Sequence, residues 1–254
     1  MPRKKNVSVF EKYAHEYDIL TDADRRVKHH QEEVAAIIER FKPRSVLDAG
    51  CGTGLTAMLF ARQGVSAVGL DRSRPMLAEA IKKYDRLRLP LKFCYGHFER
   101  LPKLLYGRFD LVVCLANSIT GVGSLSNLRK ALRSFSAVLK PGGRLVVQML
   151  NYGAMKEGEL SPIKATEANG IVYERFSERR GKTIALYVTR LDLNQQPPKL
   201  EVFRHEVDNF TAGQIDEGLK LAGFRNIGRY SNLMFTRRFS KKARDLVITA
   251  EKPD

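Results

Sequence analysis

Residues 46–54 read Val-Leu-Asp-Ala-Gly-Cys-Gly-Thr-Gly, and this stretch decides the fold of the 254-residue chain. A short apolar run leads to Asp48, three alternate glycines follow, and a helix-forming stretch begins at Leu55. The pattern predicts a strand, a tight turn and a helix. Because glycine has no Cβ, a ligand can lie directly against the main chain, and the first turn of the helix offers unpaired N–H groups. The turn is therefore expected to receive a nucleotide-like molecule.

The spacing of the glycines narrows the choice of ligand. Dinucleotide sites use Gly-x-Gly-x-x-Gly, whereas here the third glycine comes one residue early and an acid precedes the first. The stretch resembles the first motif of the class I S-adenosylmethionine-dependent methyltransferases, acid-x-Gly-x-Gly-x-Gly. The resemblance implies S-adenosylmethionine as cofactor and S-adenosylhomocysteine as product, with Asp48 near the ammonium group of the cofactor. It implies further cofactor contacts at Ala49, Gly50, Cys51, Gly52 and Gly54. A tight turn without a ligand is the alternative.

A second acid follows the next apolar run. Residues 66–70 are β-prone and end at Asp71, and Pro75 suits the first turn of a helix that extends to about Tyr84. A carboxylate at the carboxyl edge of a strand can accept both ribose hydroxyls. The resemblance implies that Asp71 binds the ribose and that Arg72 and Met76 lie near the adenine. A helix cap or a surface acid is the alternative for Asp71.

A third predicted strand, residues 91–95, leads into Gly-His-Phe-Glu-Arg-Leu-Pro at 96–102. This segment resembles the Gly-Asp-x-x-x-Leu-Pro that lines the adenine in the family, with His97 in place of the usual acid. A neutral imidazole can accept a hydrogen bond through only one nitrogen. The resemblance implies that His97 and Phe98 contact the adenine, and an ordinary loop histidine is the alternative.

The fourth strand, residues 109–115, is apolar without alternation, which is typical of a central strand covered on both faces. Family members place the methionine end of the cofactor and the acceptor beside the tip of this strand, which implies roles for Ala116 and Asn117. The form Cys-Leu-Ala-Asn-Ser at 114–118 also resembles the Cys-Leu-Gly-Asn-Ser of small-molecule N-methyltransferases of the glycine and sarcosine type.

The alternation of strands and helices continues through a helix at 125–139, a Lys-Pro-Gly-Gly turn and a strand at 145–150. A further helix is predicted at 215–222, with strands at 224–230 and 245–250. Such alternation predicts an α/β fold with a mainly parallel, Rossmann-like sheet covered by helices on both faces. The resemblance implies seven strands in the order 3-2-1-4-5-7-6, with strand 7 antiparallel. The core is expected at 45–150 and 211–254.

Residues 151–210 do not follow this rhythm. Three strands are predicted at 170–177, 183–191 and 200–207, and alternating apolar residues indicate an antiparallel β insertion after strand 5. We expect this insertion to act as a lid and substrate-recognition module; a structural embellishment or a dimer contact is the alternative. His205, on its last strand, is a candidate base toward the acceptor, and a structural histidine is the alternative.

The N-terminal segment, residues 1–44, is predicted to be helical and to lie over the cofactor. Its Tyr13-Ala-His-Glu-Tyr17-Asp resembles an entry motif of many relatives, and spacing of four residues lets one helical face present both tyrosines. Cofactor or acceptor contact and core packing are both open for the two rings. Arg25 and Arg26 could reach an anionic acceptor, although surface solvation is the preferred interpretation. The His29-His30 pair is expected to face solvent.

Composition adds a question about partners. The chain has 44 Lys and Arg against 28 Asp and Glu, a formal net charge of +16. Such a charge attracts nucleic acids or acidic substrates; basic clusters occur at residues 2–5, 179–182 and 237–242, where solvated surface charge is the usual explanation. Three unpatterned cysteines favour a reducing cytoplasm, and no Cys/His spacing indicates a metal site. No apolar segment is long enough to cross a bilayer, so membrane association is not expected.

The sequence therefore predicts an enzyme that moves a methyl group from S-adenosylmethionine to a nitrogen or oxygen atom of a small molecule by in-line displacement. No side chain is assigned as catalytic: a dedicated base is optional for an amine acceptor, and whether any side chain acts as a general base stays open. An RNA or protein methyltransferase, favoured by the basic charge, and a non-catalytic S-adenosylmethionine-binding protein are the alternatives; a nicotinamide oxidoreductase is less favoured. The acceptor and the oligomeric state stay open.

Overall fold

The computed structural model describes residues 8–101 and 103–254, without the side chains of Asp24 and Leu104. The basic cluster at 2–5 and Pro102 of the predicted adenine segment lie outside the described residues. The α-helices in these ranges are α1 (Val9–Lys12), α2 (Tyr17–Thr21), α3 (Ala23–Phe41), α4 (Leu55–Arg62), α5 (Arg74–Tyr84), α6 (Leu125–Val138) and α7 (Ala212–Leu221). Short 3-10 helices lie at Ala14–Glu16, Asp85–Leu87, Lys103–Leu105, Ser118–Val122 and Tyr152–Ala154.

The strands form two sheets. They are β1 (Ser45–Ala49), β2 (Ser66–Asp71), β3 (Leu91–Tyr95), β4 (Phe109–Cys114), β5 (Leu139–Leu150), β6 (Leu160–Ala168), β7 (Ile171–Arg180), β8 (Thr183–Asp192), β9 (Lys199–Asp208), β10 (Arg225–Tyr230) and β11 (Asp245–Glu251). The large sheet has the order β3-β2-β1-β4-β5-β11-β10, and β11 is antiparallel to both of its neighbours. The predicted order 3-2-1-4-5-7-6 is confirmed, because β10 and β11 are the sixth and seventh strands of this sheet.

Helices cover both faces of the large sheet. One face packs against α6 and α7 through Leu132 and Leu219, and the other packs against α3 and α4 through Ile37 and Phe60. In β4, Val112 belongs to the first core cluster, whereas its neighbours Leu111 and Val113 belong to the second. This burial on both faces explains why the strand is apolar without alternation.

The carboxyl ends of the parallel strands meet at one edge of the large sheet. Asp48 of β1 is in register with Gly69 of β2 and with Val113 of β4. Asp71, which ends β2, and Ala116, which follows β4, therefore come to the same edge as Asp48. Open α/β sheets bind their ligands at this edge, where the strand order reverses.

The antiparallel insertion after β5 is confirmed, and it has four strands rather than three. We call β6–β9 the small sheet; its order is β6-β7-β8-β9 and every neighbouring pair is antiparallel. Strand β6 escaped prediction because it is an edge strand that contains Pro162 and a register irregularity between Pro162 and Lys164. Proline is tolerated at such edges because no partner strand needs its missing N–H.

The Lys-Pro-Gly-Gly segment also differs from its predicted form. Helix α6 ends at Val138 and β5 begins at Leu139, so residues 140–143 belong to an irregular start of the strand rather than to a separate turn. Lys252, beyond β11, exchanges backbone hydrogen bonds with Gly142 and Gly143, which holds this segment in the sheet. None of the helices in the described ranges has the length and hydropathy needed to span a bilayer.

Candidate functional site

The turn between β1 and α4 requires glycine on steric grounds. Gly50 and Gly54 have φ angles of +85° and +84°, in the left-handed region. A Cβ at Gly50 would lie 2.6 Å from the side chain of Ser118, and one at Gly54 would lie 2.7 Å from the ring of Phe93. Because Gly52 is covered by Met76, whose Cε would lie 3.2 Å from an added Cβ, the backbone of the turn is approached closely by neighbouring groups on several sides.

Asp48 is buried beneath this turn. Its Oδ2 accepts a hydrogen bond of 3.1 Å from the N–H of Ala57, in the first turn of α4. The carboxylate thus caps the helix, because the N-cap residue, Gly54, has no side chain that could accept a hydrogen bond from the first turn. Burial, with a smaller contribution from the nearby charge of Asp71, raises the pKa of Asp48 to about 7. A cationic group placed beside Asp48 would stabilise its ionised form.

Asp71 is held by two backbone donors. Its Oδ2 accepts from the N–H of Gly52 at 2.9 Å, and its Oδ1 accepts from the N–H of Ser73 at 2.8 Å. The carboxylate is therefore fixed at the tip of β2 and tied to the glycine turn. Each oxygen keeps further acceptor capacity, so the group is oriented and still able to accept hydrogen bonds from a vicinal diol.

One cavity lies beside the glycine turn, and five of the predicted site residues line it. About 450 Å³ of space, open solvent included, lies between the atoms that line it. The predicted residues in its wall are Tyr17, Asp48, Gly50, Cys51 and Ala116. Those that the sequence analysis did not assign to the site are Arg26, His30, Thr53, Leu55, Thr56, Leu115 and Ser118.

Arg26 and His30 are the most informative of these additions. Both are half-buried and line the cavity, whereas Arg25 and His29 on the same helix are exposed. The expectation that Arg26 and His30 face solvent is therefore wrong. The guanidinium carbon of Arg26 lies 5.9 Å from the centroid of the Tyr17 ring, so residues 8–21, which we call the N-terminal segment from here on, cover this side of α3. That contact joins two elements of the fold and has no signal in the sequence around α3.

The residues predicted near the adenine divide into two groups. Met76 is buried beside Gly52, and Phe98 lies beside Gly50 with its ring 5.6 Å from that of Phe135. These two apolar side chains flank the turn. His97, by contrast, is exposed, and its Nε2 lies 3.1 Å from the hydroxyl of Tyr95.

Arg72 reaches across the edge of the sheet. Its Nη1 donates a hydrogen bond of 3.1 Å to the carbonyl of Gly121, in the 3-10 helix that follows β4. This contact bridges the tips of β2 and β4. Whether Arg72 or His97 contacts an adenine stays a prediction.

The tip of β4 is fixed to β5 by Ala116 and Asn117. The N–H of Ala116 donates to Oε1 of Gln148 at 2.7 Å, and Oδ1 of Asn117 accepts from the N–H of Leu150 at 2.5 Å. Both residues have positive φ angles, 52° and 66°. The side chain of Asn117 thus shapes the tip, and Ala116 belongs to the cavity wall. Ala49 is fully buried in the core at the end of β1.

Tyr13 and Tyr17 do not share one helical face. The 3-10 helix Ala14–Glu16 separates α1 from α2, and Tyr13 has a non-helical conformation with φ −121° and ψ 41°. Tyr17 therefore lies against the glycine turn, near Gly52, whereas the hydroxyl of Tyr13 donates to Glu201 in the small sheet. A cofactor contact stays a prediction for both, with the geometry of Tyr17 in its favour.

The N-terminal segment docks on the turn and on the small sheet at once. Asp18 accepts hydrogen bonds from the hydroxyl of Thr53 at 3.2 Å and from Nζ of Lys83 at 2.5 Å. On the other side, Glu16 forms a bidentate pair with Arg190 of β8, at 2.7 and 2.8 Å. Residues 8–21 thus connect the small sheet to the cavity.

Burial alone would raise the pKa of Glu16, but hydrogen bonds from Arg190 and from the hydroxyl of Tyr173 outweigh it and lower the pKa. The carboxylate of Glu16 is therefore charged at neutral pH. Paired ionised groups in the interior are costly to separate, because each would be left without its partner. This pair fixes how the N-terminal segment sits on the small sheet.

The surroundings of His205, Cys51 and Cys114 do not favour a role as a base or a nucleophile. The ring of His205 packs edge-on against Phe10 with centroids 5.3 Å apart, and burial with the charge of Arg72 lowers its pKa. Burial raises the pKa of Cys51 and Cys114, which makes both thiols weak nucleophiles at neutral pH. These positions favour structural roles.

Comparison with known proteins places this site in context. Residues 46–143 match the family described as a methyltransferase domain. The chain is 31% identical to a glycine/sarcosine N-methyltransferase from Parasynechococcus marenigrum. The 148 aligned residues cover 58% of this chain and 52% of that protein. The chain is likewise 28% identical over 146 residues to human glycine N-methyltransferase, covering 52% and 50%. The chain thus spans about half the length of the curated relatives that it matches.

Solved structures match over most of the chain. An S-adenosylmethionine-dependent methyltransferase from Clostridium acetobutylicum has a TM-score of 0.79 and 19% identity, over 96% of this chain and 99% of that one. An amino pentose methyltransferase from Micromonospora echinaspora, solved with S-adenosylmethionine bound, has a TM-score of 0.73 and 22% identity over 91% and 96%. At these identities the likeness concerns the fold, and it includes the small sheet and the N-terminal segment because it covers nearly the whole chain.

Proposed function

We propose that this chain, which carries a methyltransferase domain in the class I S-adenosylmethionine-dependent methyltransferase fold, transfers a methyl group to an amine nitrogen of a small-molecule acceptor. One observation carries the proposal: the cavity beside the glycine turn offers both Asp48 and Arg26. A buried acid and a guanidinium in one cavity complement the ammonium and carboxylate groups of an amino acid. The methionyl end of the cofactor has both groups.

The remaining contacts fit the other end of the cofactor. Asp71 is oriented by two backbone N–H groups at a distance suited to hydrogen bonding and can accept from a ribose diol. Met76 and Phe98 present apolar surface on either side of the turn, which suits an aromatic base. When bound, S-adenosylmethionine supplies a methyl group that its sulfonium already activates.

The residues of this chain would then act by positioning and by excluding water. The N-terminal segment places Tyr17 in the cavity wall, and the buried Glu16–Arg190 pair joins this segment to the small sheet. We infer that together they act as a lid. A dry, ordered site favours in-line displacement because the reacting atoms are held at short distance. An amine acceptor needs no base among these residues if it enters uncharged.

Two kinds of relative support nitrogen as the acceptor atom. The curated relatives named above act on glycine or sarcosine nitrogen by their names, and one structural neighbour is an amino pentose methyltransferase. The substrates in these names differ, and an amino group is what glycine, sarcosine and an amino pentose have in common. The proposal is accordingly limited to an amine and names no metabolite.

The first test concerns the cofactor. Asp71→Ala should weaken binding of S-adenosylmethionine by at least about tenfold, because a carboxylate that accepts hydrogen bonds is lost. Asp85→Ala, at an exposed acid beyond the end of α5, is the matched control and should bind normally. Isothermal titration calorimetry measures both. Near-normal affinity of Asp71→Ala would remove Asp71 from the ribose site.

The second test concerns the reaction. Methyl-labelled S-adenosylmethionine is incubated with the protein and with separate panels of amines, alcohols and RNA. We expect label on an amine. Label on alcohols alone would move the acceptor atom to oxygen, and cofactor binding without transfer to any panel would favour a non-catalytic binding protein.

RNA is a second candidate acceptor, and one surface favours it. A groove at the sheet edge is lined by Lys220, Arg225, Arg229 and Arg238. Phosphate contacts by such cations make binding fall steeply with salt. Filter binding of single-stranded RNA at about 50 and about 200 mM salt compares the wild type with the double variant Lys220→Ala, Arg225→Ala. Equal, weak binding by both proteins would count against RNA.

A further inference from the structure

Two arginines of the small sheet, Arg175 and Arg190, lie on the face that packs against the N-terminal segment. In the β7–β8 ladder Tyr173 is opposite Arg190, and Arg175 is opposite Val188. Residues directly opposite one another share a face of the sheet, and positions two apart on a strand share it too. Tyr173 and Val188 belong to the cluster that packs against Tyr17 and its neighbours. Arg175 therefore lies on the face that covers the N-terminal segment.

The two arginines have different electrostatic surroundings. Arg190 donates to both oxygens of Glu16 and lies 3.3 Å from Asp192. Arg175 forms no ion pair within the described residues, and its Nε is buried without a hydrogen-bond partner. Burial lowers the pKa of Arg175, and the charge of Arg26 lowers it further. The positive charge of Arg175 is thus partly desolvated and not compensated.

Two more cations and a hydroxyl surround this position. Lys164 is opposite Arg175 on β6, and it is already paired with Asp22 at 2.7 Å. Thr166, two residues further along β6, has a buried hydroxyl without a hydrogen-bond partner, and the Nε of Arg26 is likewise buried without one. A desolvated guanidinium without an anion costs free energy. The cluster of donors is complementary to an anion.

We propose that Arg175 binds an anionic oxygen group, a carboxylate or a phosphate, carried by the methyl acceptor. The proposal rests on the function proposed above and adds a chemical class to it: an amine that also bears an acid group. A guanidinium suits either acid, because its N–H groups can form two parallel hydrogen bonds to one group.

The cofactor is the other possible source of such an anion, since its methionyl end has a carboxylate. Arg26 lines the cavity beside Asp48, whereas the small sheet contributes none of the residues in the cavity wall. Arg175 therefore approaches from the side of the small sheet, outside the space that the amino-acid end of the cofactor would fill. This position favours the acceptor as the source.

The test uses acetate and inorganic phosphate as probes on the full chain, both cofactor-free and saturated with S-adenosylhomocysteine. Thermal unfolding at constant ionic strength measures their apparent affinity for the wild type, Arg175→Gln, Arg175→Lys and the control Arg180→Gln. Arg180 is an exposed residue at the end of the same strand and pairs with Glu178. We expect at least one probe to bind the wild type and Arg180→Gln with equal affinity. The same probe should bind Arg175→Gln at least about tenfold more weakly and should bind Arg175→Lys with an intermediate affinity.

A purely structural role of Arg175 makes a different prediction. Loss of an uncompensated charge should raise the melting temperature of the cofactor-free protein in Arg175→Gln, whereas loss of a structural contact should lower it. A lower melting temperature together with unchanged probe affinity would overturn the proposal.

The remaining outcomes separate this proposal from the one on which it rests. Probe binding that disappears when S-adenosylhomocysteine is bound would assign the anion to the methionyl carboxylate and overturn the acceptor role. Equal probe affinity in all four proteins would overturn it as well. Failure of S-adenosylhomocysteine to bind the folded wild type would instead contradict the proposed function.

Discussion

Replacement of Asp48 by asparagine should stabilise the cofactor-free protein and impair cofactor binding. Asparagine keeps the shape of the side chain and an oxygen that can accept from the N–H of Ala57, but it cannot ionise. The pKa of Asp48 rises from its ordinary value of 3.8 to about 7, chiefly because the carboxyl is buried. At 1.36 kcal/mol per pKa unit, the ionised carboxylate costs the folded protein about 4 kcal/mol.

The pH dependence gives the sign of the effect. The folded protein keeps the proton of Asp48 up to about pH 7, whereas the unfolded chain releases it near pH 4. Between these values the folded state binds more protons, so stability falls as the pH rises. This contribution is fully present below the unfolded pKa and lost above the folded pKa. The asparagine variant should therefore gain about 3 kcal/mol over the wild type between about pH 5 and about pH 8.

Urea unfolding of the cofactor-free proteins at several pH values measures this gain. Taking the difference between variant and wild type at each pH removes the contribution of the other titrating groups. A difference that stays constant from about pH 5 to about pH 8 would refute the reasoning, because it would mean that Asp48 ionises in the folded protein without a cost.

Cofactor binding gives the complementary readout. An ammonium group beside Asp48 favours its ionised form, so the wild type should release a proton on binding below about pH 7 and should bind more tightly as the pH rises toward that value. Asp48→Asn should bind at least about tenfold more weakly and should lose this proton release. Calorimetry in two buffers of different ionisation enthalpy detects it. Unchanged affinity in the variant would separate Asp48 from the ammonium.

Most of the fold was predictable because its signals are local. The glycines at 50, 52 and 54 specify a strand-to-helix turn within nine residues, and the unbroken apolar run of β4 records burial on both faces. Strand β6 was missed for an equally physical reason: an edge strand bonds to one partner only, so it tolerates Pro162 and a register irregularity. Its sequence pattern is correspondingly weak.

The sequence predicted the residues proposed to bind the methyl donor much better than those proposed to bind the methyl acceptor. Asp48 and Asp71 follow directly from their places at strand ends, where the topology of the sheet brings them together. Arg26 and Arg175 come from a polar helix and a partly exposed sheet, and their burial arises only when residues 8–21 pack between these elements. Contacts across such distances in the sequence leave no local periodicity to detect.

Two further substitutions test the packing around the site against matched controls. Gly54 and Gly64 have nearly equal φ angles of +84° and +81°, but an added Cβ at Gly54 would meet a phenyl ring at 2.7 Å and one at Gly64 would meet nothing within 4 Å. Gly54→Ala should therefore cost about 1–3 kcal/mol more than Gly64→Ala in urea unfolding, and equal costs would count against close packing of the turn. Glu16→Gln removes the charge that compensates the buried Arg190 and should cost about 3–5 kcal/mol, whereas Glu206→Gln, at an exposed pair on the small sheet, should cost less than about 1 kcal/mol. Because Glu16 joins the N-terminal segment to the small sheet, its loss should also increase amide hydrogen exchange in residues 8–21 ahead of the large sheet; exchange that rises equally in both would show that the pair stabilises the whole fold rather than this junction.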